Sequence, residues 1–381
     1  MRFPEFSGEW EQYSFGRITE LFSRRNKERT NYPMYSVTNS KGFVNQQEQF
    51  EDRDMKGEDI AAYKIIFPGE FAYNPARINV GSIARYDGES ACMISSLYVC
   101  FRSNRELVDS KLLLHILKSP RMVYNYGING EGGVRIYLFY PNFSRIKVKL
   151  PSLKEQRKLA VFLDLIEERI SKQNKVIEKY ESLIKAITQQ AQKKAANKSF
   201  LKEVLTERKE LNSNGYDICS VSVSKGVINQ VKYLGRSFAA KETAHYHVVQ
   251  YGDIVYTKSP TGDFPYGIIK QSYCTNPVAV SPLYGVYEPA SFEIGVFLHH
   301  LFCSPNNAIN YLHPLIQKGA KNTINITNQH FLDNQVRMPD SKLLSHTVSS
   351  LKSISSIIRL EEQILHQLEL QKQYMLSNMF I

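Results

Sequence analysis

Tyr35-Ser-Val-Thr-Asn-Ser-Lys-Gly-Phe-Val-Asn-Gln46 returns further along the chain as Cys219-Ser-Val-Ser-Val-Ser-Lys-Gly-Val-Ile-Asn-Gln230, with seven of twelve positions identical. Beyond this pair, Tyr63, Gly69, Glu70 and Tyr73 align with Tyr246, Gly252, Asp253 and Tyr256. Ser95-Ser-Leu-Tyr98 aligns with Ser281-Pro-Leu-Tyr284, and Ser119-Pro120 with Ser304-Pro305. The offset drifts only from 183 to 188 residues. Such a repeat predicts two copies of one module with pseudo-two-fold symmetry, which suits a target that also has two halves.

Each copy reads as short strands and turns followed by a long helix. Ala61-Ala-Tyr-Lys-Ile-Ile-Phe67, Pro68-Gly69-Glu70 and Phe71-Ala-Tyr73 predict strand, turn and strand, and Tyr246-His-Val-Val249, Tyr251-Gly252-Asp253 and Ile254-Val-Tyr256 repeat the pattern. Lys111 to Lys118 and Glu293 to Phe302 are helical candidates stopped by Pro120 and Pro305. Each module is therefore α+β. After Pro151-Ser152 the texture changes. Leu159, Leu163, Ile166, Ile170, Gln173, Ile177, Tyr180, Ile184, Ile187 and Ala191 alternate in steps of four and three, a coiled-coil seam interrupted only by Gln173. Adding 188 to the positions from Leu163 onward gives Leu351, Ile354, Ile358, Glu361, Leu365, Leu368, Lys372, Met375 and Met379, with the polar Glu361 standing where Gln173 does. Two helices of about 50 Å, at about 1.5 Å per residue, must bury these seams, and their natural partners are each other.

Composition narrows the function classes. At 381 residues with 43% apolar side chains, the chain can hold two or three domains with real cores. Five scattered cysteines without a C-x-x-C pair argue against a disulfide framework or a zinc site. No apolar run approaches the roughly 18 residues of a membrane span, and Met1-Arg-Phe-Pro-Glu-Phe6 lacks a signal-peptide stretch, so a cytoplasmic protein without a membrane partner is expected. Lys and Arg outnumber Asp and Glu by 48 to 37, a net charge of +11 that favours a polyanionic partner.

Leu150-Pro-Ser-Leu-Lys-Glu-Gln156, closing a strand-rich module and opening a long helix, strongly resembles the conserved region of type I restriction-modification specificity (S, HsdS) subunits. So does Arg2-Phe-Pro-Glu-Phe-Ser-Gly-Glu-Trp-Glu11, and Gly69 to Ile83 looks like a target-recognition segment of that family. The second copy departs from the pattern, since Met338-Pro339-Asp340-Ser-Lys-Leu-Leu344 lacks the Glu-Gln pair. The resemblance implies two α/β target recognition domains separated by two long helices forming an antiparallel coiled coil, each domain reading one half of a split, asymmetric site in double-stranded DNA. The corresponding boundaries are 1–150 for the first recognition domain, 151–196 for the central helix, 197–338 for the second domain and 339–381 for the C-terminal helix. It further implies that methyltransferase (M) subunits, two of them, dock on this chain, with room for restriction (R) subunits. S-adenosylmethionine, ATP and Mg would sit on those partners, and this chain would carry no cofactor. Pro151, Glu155 and Gln156 are the candidate partner-binding residues, on an exposed face at the helix entrance.

The residues themselves carry no complete catalytic motif. Asn74-Pro75-Ala76-Arg77 and Asn276-Pro277-Val278-Ala279 have only the first half of the Asn/Asp-Pro-Pro-Tyr/Phe loop that amino-methylation requires. A phosphate loop of the G-x-x-x-x-G-K-[ST] type is absent from the sequence. Pro339-Asp340-Ser341-Lys342 reads as a helix start with Asp340 near the N-cap. His245-x-His247 and His299-His300 lack a third ligand and read as packed or solvated pairs. What remains is the equipment of DNA reading, in which Arg and Lys suit guanine, Asn suits adenine, and hydroxyls suit phosphates. Candidate DNA-binding residues are Asn74, Arg77, Asn79 and Arg135 in the first module, and Lys258, Ser259, Thr261, Lys321 and Asn322 in the second. A non-catalytic DNA-specificity subunit is the expected function. The alternatives are a self-contained DNA-modifying enzyme and a coiled-coil scaffold protein without DNA specificity.

Overall fold

The computed structural model describes residues 2–46, 60–133, 135–231, 242–318 and 324–379. The chain divides into two compact units, Met1–Asn174 with Gln363–Ile381, and Lys175–Glu362.

The first unit contains strands β1 (Glu11–Ser14), β2 (Thr19–Phe22), β3 (Tyr35–Thr38), β4 (Gly42–Asn45), β5 (Lys64–Ile66), β6 (Phe71–Tyr73), β7 (Ile83–Arg85), β8 (Cys92–Ile94), β9 (Val99–Ser103) and β10 (Lys147–Leu150). An antiparallel sheet in the order β2-β9-β6-β7 forms its centre. All three residues of β6 are buried, because this strand is covered on both faces. Alternation assigns the faces. Phe71 and Tyr73 point to a core shared with helices Ser110–Leu117 and Pro120–Asn129, while Ala72 points to a second cluster with Val37, Ile66 and Ala84. The β3–β4 hairpin and the β5–β8 pair supply that second layer, and β1 pairs with β10 where the module closes. At the centre of the larger core, the Phe143 ring lies 4.8 Å from Phe15, 5.3 Å from Tyr73 and 5.4 Å from Phe101.

The second unit repeats this plan with β11 (Lys198–Phe200), β12 (Leu205–Glu207), β13 (Cys219–Ser222), β14 (Gly226–Asn229), β15 (His247–Val249), β16 (Ile254–Thr257), β17 (Ile268–Gln271), β18 (Val278–Val280), β19 (Tyr284–Pro289), β20 (Gln317–Lys318), β21 (Ile324–Asn325) and β22 (Gln335–Arg337). Its sheet runs β12-β19-β16-β17, its hairpin is β13–β14, its covering pair is β15–β18, and its closing pair is β11–β22. Even the isolated parallel bridges recur, Met34 to Met93 in one unit and Ile218 to Ala279 in the other. Phe331 takes the place of Phe143, 4.7 Å from both Tyr256 and Tyr287. The repeat read from the sequence is thus a repeat of topology.

Two local readings change. Pro120 and Pro305 do more than stop the preceding helices: each occupies the first turn of a new one, Pro120–Asn129 and Pro305–Leu312. Proline lacks only an N–H that a helix start leaves unpaired anyway. The predicted strand from Ala61 is a 3-10 turn over Ile60–Ala62 and a shorter strand at Lys64.

The central helix runs Leu153–Lys194 and the C-terminal helix Ser341–Met379. Every seam position from Leu159 to Ala191 and from Leu351 to Met375 is buried or half-buried, as the heptad reading requires. In the first unit, Leu159 and Leu163 share a core with Met375 and Leu376, and Lys372 Nζ bonds Glu167 Oε1 at 2.6 Å. In the second, Ala191 shares a core with Leu344 and Val348. Each unit therefore joins the early part of one helix to the late part of the other, the antiparallel arrangement. The units divide within the helices, at 174/175 and 362/363, because these seams pack into the cores of the modules beside them.

Candidate nucleic-acid interface

The candidate residues of the first module sit where a buried strand releases the chain to solvent. After Tyr73, Asn74 Oδ1 accepts from Ala76 N at 3.0 Å and starts a tight turn. Arg77 is exposed at the head of a single 3-10 turn over Ile78–Val80, and Asn79 is half-buried within that turn. Buried Ile78 anchors the loop. A second loop is tied to it, since Leu138 N donates to Pro75 O at 3.0 Å. That loop carries exposed Arg135, closed by a bridge between Glu131 and Tyr137. It depends on Gly132 (φ +106), where a Cβ would stand 2.4 Å from the Arg135 carbonyl oxygen. The structure thus joins Asn74, Arg77, Asn79 and Arg135 into one loop cluster.

In the second module, Lys258 leaves the end of β16 half-buried, and burial lowers its ammonium pKa despite the opposing pull of Glu207. Ser259 and Thr261 are exposed beyond it. Thr261 and Phe264 exchange backbone hydrogen bonds of 3.1 and 2.9 Å, and the buried Phe264 ring pins this loop to the core. Lys321 and Asn322 lie outside the described residues.

Matching ion pairs brace the two loop systems. Arg24 holds Glu70 in a bidentate pair of 3.1 and 3.2 Å, and Arg208 holds Asp253 at 2.7 and 3.0 Å. Glu70 and Asp253 also accept from the backbone N–H of Phe67 and Gln250, fixing the turn into the central strand. Burial raises the Asp253 carboxyl pKa even though Arg208 pulls it down. Sequence reasoning missed both arginines because each partner lies about 45 residues away.

The candidate partner-binding residues require a correction. Pro151, Glu155 and Gln156 are buried rather than exposed at the helix entrance. Glu155 accepts from Arg2 Nε and Nη2 at 2.9 and 2.7 Å. Gln156 donates to the Leu107 and Pro151 carbonyls and accepts from Asp109 N at 2.9 Å, so it braces the N-cap of helix Ser110–Leu117. Lys158 adds an ion pair with Glu5 and lies over the Phe3 ring at 4.3 Å. The opening segment and the Leu-Pro-x-Leu-x-Glu-Gln run are therefore each other's packing partners. In the second copy Asp340 caps the helix instead, accepting from Leu343 N at 2.8 Å. On the outer face of the central helix, Val161 and Leu165 remain more than half exposed, with Phe162 beside them.

Residues 8–181 match the Type I restriction modification DNA specificity domain. A protein named as the MjaX type I restriction enzyme specificity subunit of Methanocaldococcus jannaschii is 25% identical over 187 residues, covering 46% of this chain and 43% of the relative. A type I restriction enzyme specificity subunit of Haemophilus influenzae is 32% identical over 88 residues, 23% of this chain and 22% of its own length. The chain therefore aligns with less than half the length of either relative. The fold matches the crystal structure of a type I restriction-modification S subunit from M. genitalium (TM-score 0.59, 12% identity, 100% of this chain and 99% of that one). It also matches a chain from a study of type I R-M complex assembly (TM-score 0.57, 12% identity, 98% of each chain). Residues 8–181 thus carry a Type I restriction modification DNA specificity domain, and the whole chain shares the fold of the solved type I S subunit.

Proposed function

We propose that this chain is the DNA-sequence-specificity subunit of a type I restriction-modification complex. Each module is a target recognition domain reading one half of a split site in double-stranded DNA, through the loops bearing Asn74, Arg77, Asn79 and Arg135, and Lys258, Ser259 and Thr261, together with Lys321 and Asn322. The observation that carries this reading is a four-stranded sheet, hairpin, covering pair and closing pair repeated in both units, with strand-end loops that diverge. Arg77-Ile-Asn-Val-Gly81 stands where the second copy has Pro260-Thr-Gly-Asp-Phe264. A shared scaffold with differing loops is how one fold acquires two specificities.

The chemistry belongs to partners. Two methyltransferase subunits methylate adenine N6 with S-adenosylmethionine, and restriction subunits, where the complex has them, use ATP and Mg. This chain orients them in the cytoplasm and is not itself an enzyme. The methyltransferase docks on the outer face of the central helix, where Val161 and Leu165 lie one turn apart. Val161→Asp with Leu165→Asp should leave the chain folded and abolish co-purification of that subunit; retention would place the dock elsewhere. For DNA reading, the assembled complex is equilibrated with a library of randomised duplexes. Enrichment of a bipartite motif with unlike halves supports the proposal, and no enrichment contradicts it.

A further inference from the structure

The two hairpins that open the repeat are more alike than packing demands. Their registers correspond residue for residue, Tyr35 opposite Asn45 through Thr38 opposite Gly42, and Cys219 opposite Asn229 through Ser222 opposite Gly226. Gly42 and Gly226 both have φ +68, the left-handed conformation that favours glycine. Gln46 Nε2 donates to Ser36 Oγ at 2.6 Å, and Gln230 Nε2 to Ser220 Oγ at 2.8 Å. Each tip turns on a hydroxyl that accepts a lysine N–H, Thr38 from Lys41 at 3.1 Å and Ser222 from Lys225 at 3.4 Å.

Most of the shared residues are thereby accounted for. Val37 and Val221 pack into or against the cores, Ser36 with Gln46 and Ser220 with Gln230 brace the strands, and the glycines make the turn. Lys41 and Lys225 are not. Both are exposed, and among the described residues neither side chain makes a hydrogen bond or ion pair. A turn tip tolerates many polar residues at that place, and the position two before it has changed from Asn39 to Val223. The first tip also lies against the strand-end loop, since a Cβ on Gly81 would stand 3.4 Å from Asn39 O, and Ser82 Oγ donates to Val37 O at 2.8 Å. In the second module, the Cys274 thiol donates to Val227 O and ties the corresponding hairpin to the segment that follows β17.

We infer that Lys41 and Lys225 each bind a phosphate of the DNA backbone, a clamp common to both modules that seats the duplex beside the loop reading its bases. This rests on the DNA-specificity reading above. A residue that reads a base should differ between modules with different half-sites, whereas a phosphate looks the same under every sequence. A lysine ammonium is a compact point charge suited to that contact. Residues kept identical, exposed and unpaired on otherwise divergent modules are what a sequence-independent contact requires.

The test uses the full chain assembled with its methyltransferase subunits, comparing wild type with Lys41→Ala, Lys225→Ala, the double variant and Lys41→Arg. Binding to the enriched duplex and to a scrambled duplex is measured across a salt series, together with the methylated motif. Each alanine variant should weaken both duplexes alike, by about fivefold near physiological salt, and lower the salt slope by about one. The double variant should lower it by about two, Lys41→Arg should retain binding, and the motif should not change. Wild-type affinity and slope in folded variants would overturn the clamp alone, as would relaxation of a single half-site, which would make the lysine a base reader. If the wild-type complex itself prefers no sequence, the DNA-specificity reading fails, and the clamp with it.

Discussion

At the scale of single residues, burial decides what a motif does. Glu155 is fully buried and Arg2 only partly exposed, so removing the guanidinium strands a carboxylate in the core. Arg2→Ala should cost about 1–3 kcal/mol, below the range for fully buried pairs because Arg2 touches solvent. Urea unfolding of the chain checks this, and an unchanged midpoint would refute the clamp between the two segments. Base reading gives the second test at this scale. Arg77→Ala should relax only the first half-site, costing about 1–3 kcal/mol if the guanidinium forks onto guanine. Lys258→Ala should affect only the second. Methylation of the unchanged motif at the wild-type rate by both variants would remove these loops from the reading edge. The signature Leu150 to Gln156 was legible as a family mark, yet its role was not, because Arg2 is 153 residues away in sequence and no local spacing reveals that contact.

At the scale of elements, the helix Phe292–Phe302 lays His299 and His300 beside the sheet. His299 Nδ1 accepts from Gln271 N at 3.0 Å, which requires an unprotonated nitrogen there, and its Nε2 faces the Cys303 thiol at 3.7 Å. Burial, reinforced by the neighbouring Lys270 ammonium, holds the His299 pKa at about 3, and burial with His299 and Lys270 holds that of His300 at about 3. An unfolded histidine titrates near ~6.5. The unfolded chain therefore takes up these protons first, so their contribution to stability is complete above pH ~6.5 and is lost as pH falls below it. Between pH ~7 and ~5.5 the pair should cost about 2 kcal/mol. Urea midpoints at the two pH values check this, and a His299→Gln, His300→Gln variant should show a flatter pH dependence; an equal dependence would contradict it. Element-level structure was otherwise the most legible part of the sequence. Heptad spacing marked each seam because a helix buries one stripe, and the Pro68-Gly69-Glu70 turn marked the start of β6. Pro120 and Pro305 read only as stops, because a proline is equally at home just past one helix and in the first turn of another.

At the scale of the whole molecule, duplication is the organising fact. One α+β plan occurs twice, each copy with a buried central strand, an aromatic hub at Phe143 or Phe331, and a divergent exposed loop where that strand ends. The scaffold was legible because packing constrains it in both copies. The loops were legible only as polar and basic, because the DNA target proposed for them is written nowhere in the chain. The Ser-Lys tips were visible in the sequence as identities, but their significance emerged only once exposure separated them from residues that packing explains. Methylome sequencing of the host with and without this gene tests the central claim most directly. The account predicts one bipartite motif with unlike halves, methylated at adenine, that disappears with the gene. An unchanged methylome beside an intact methyltransferase, or loss of a palindromic motif in its place, would contradict it.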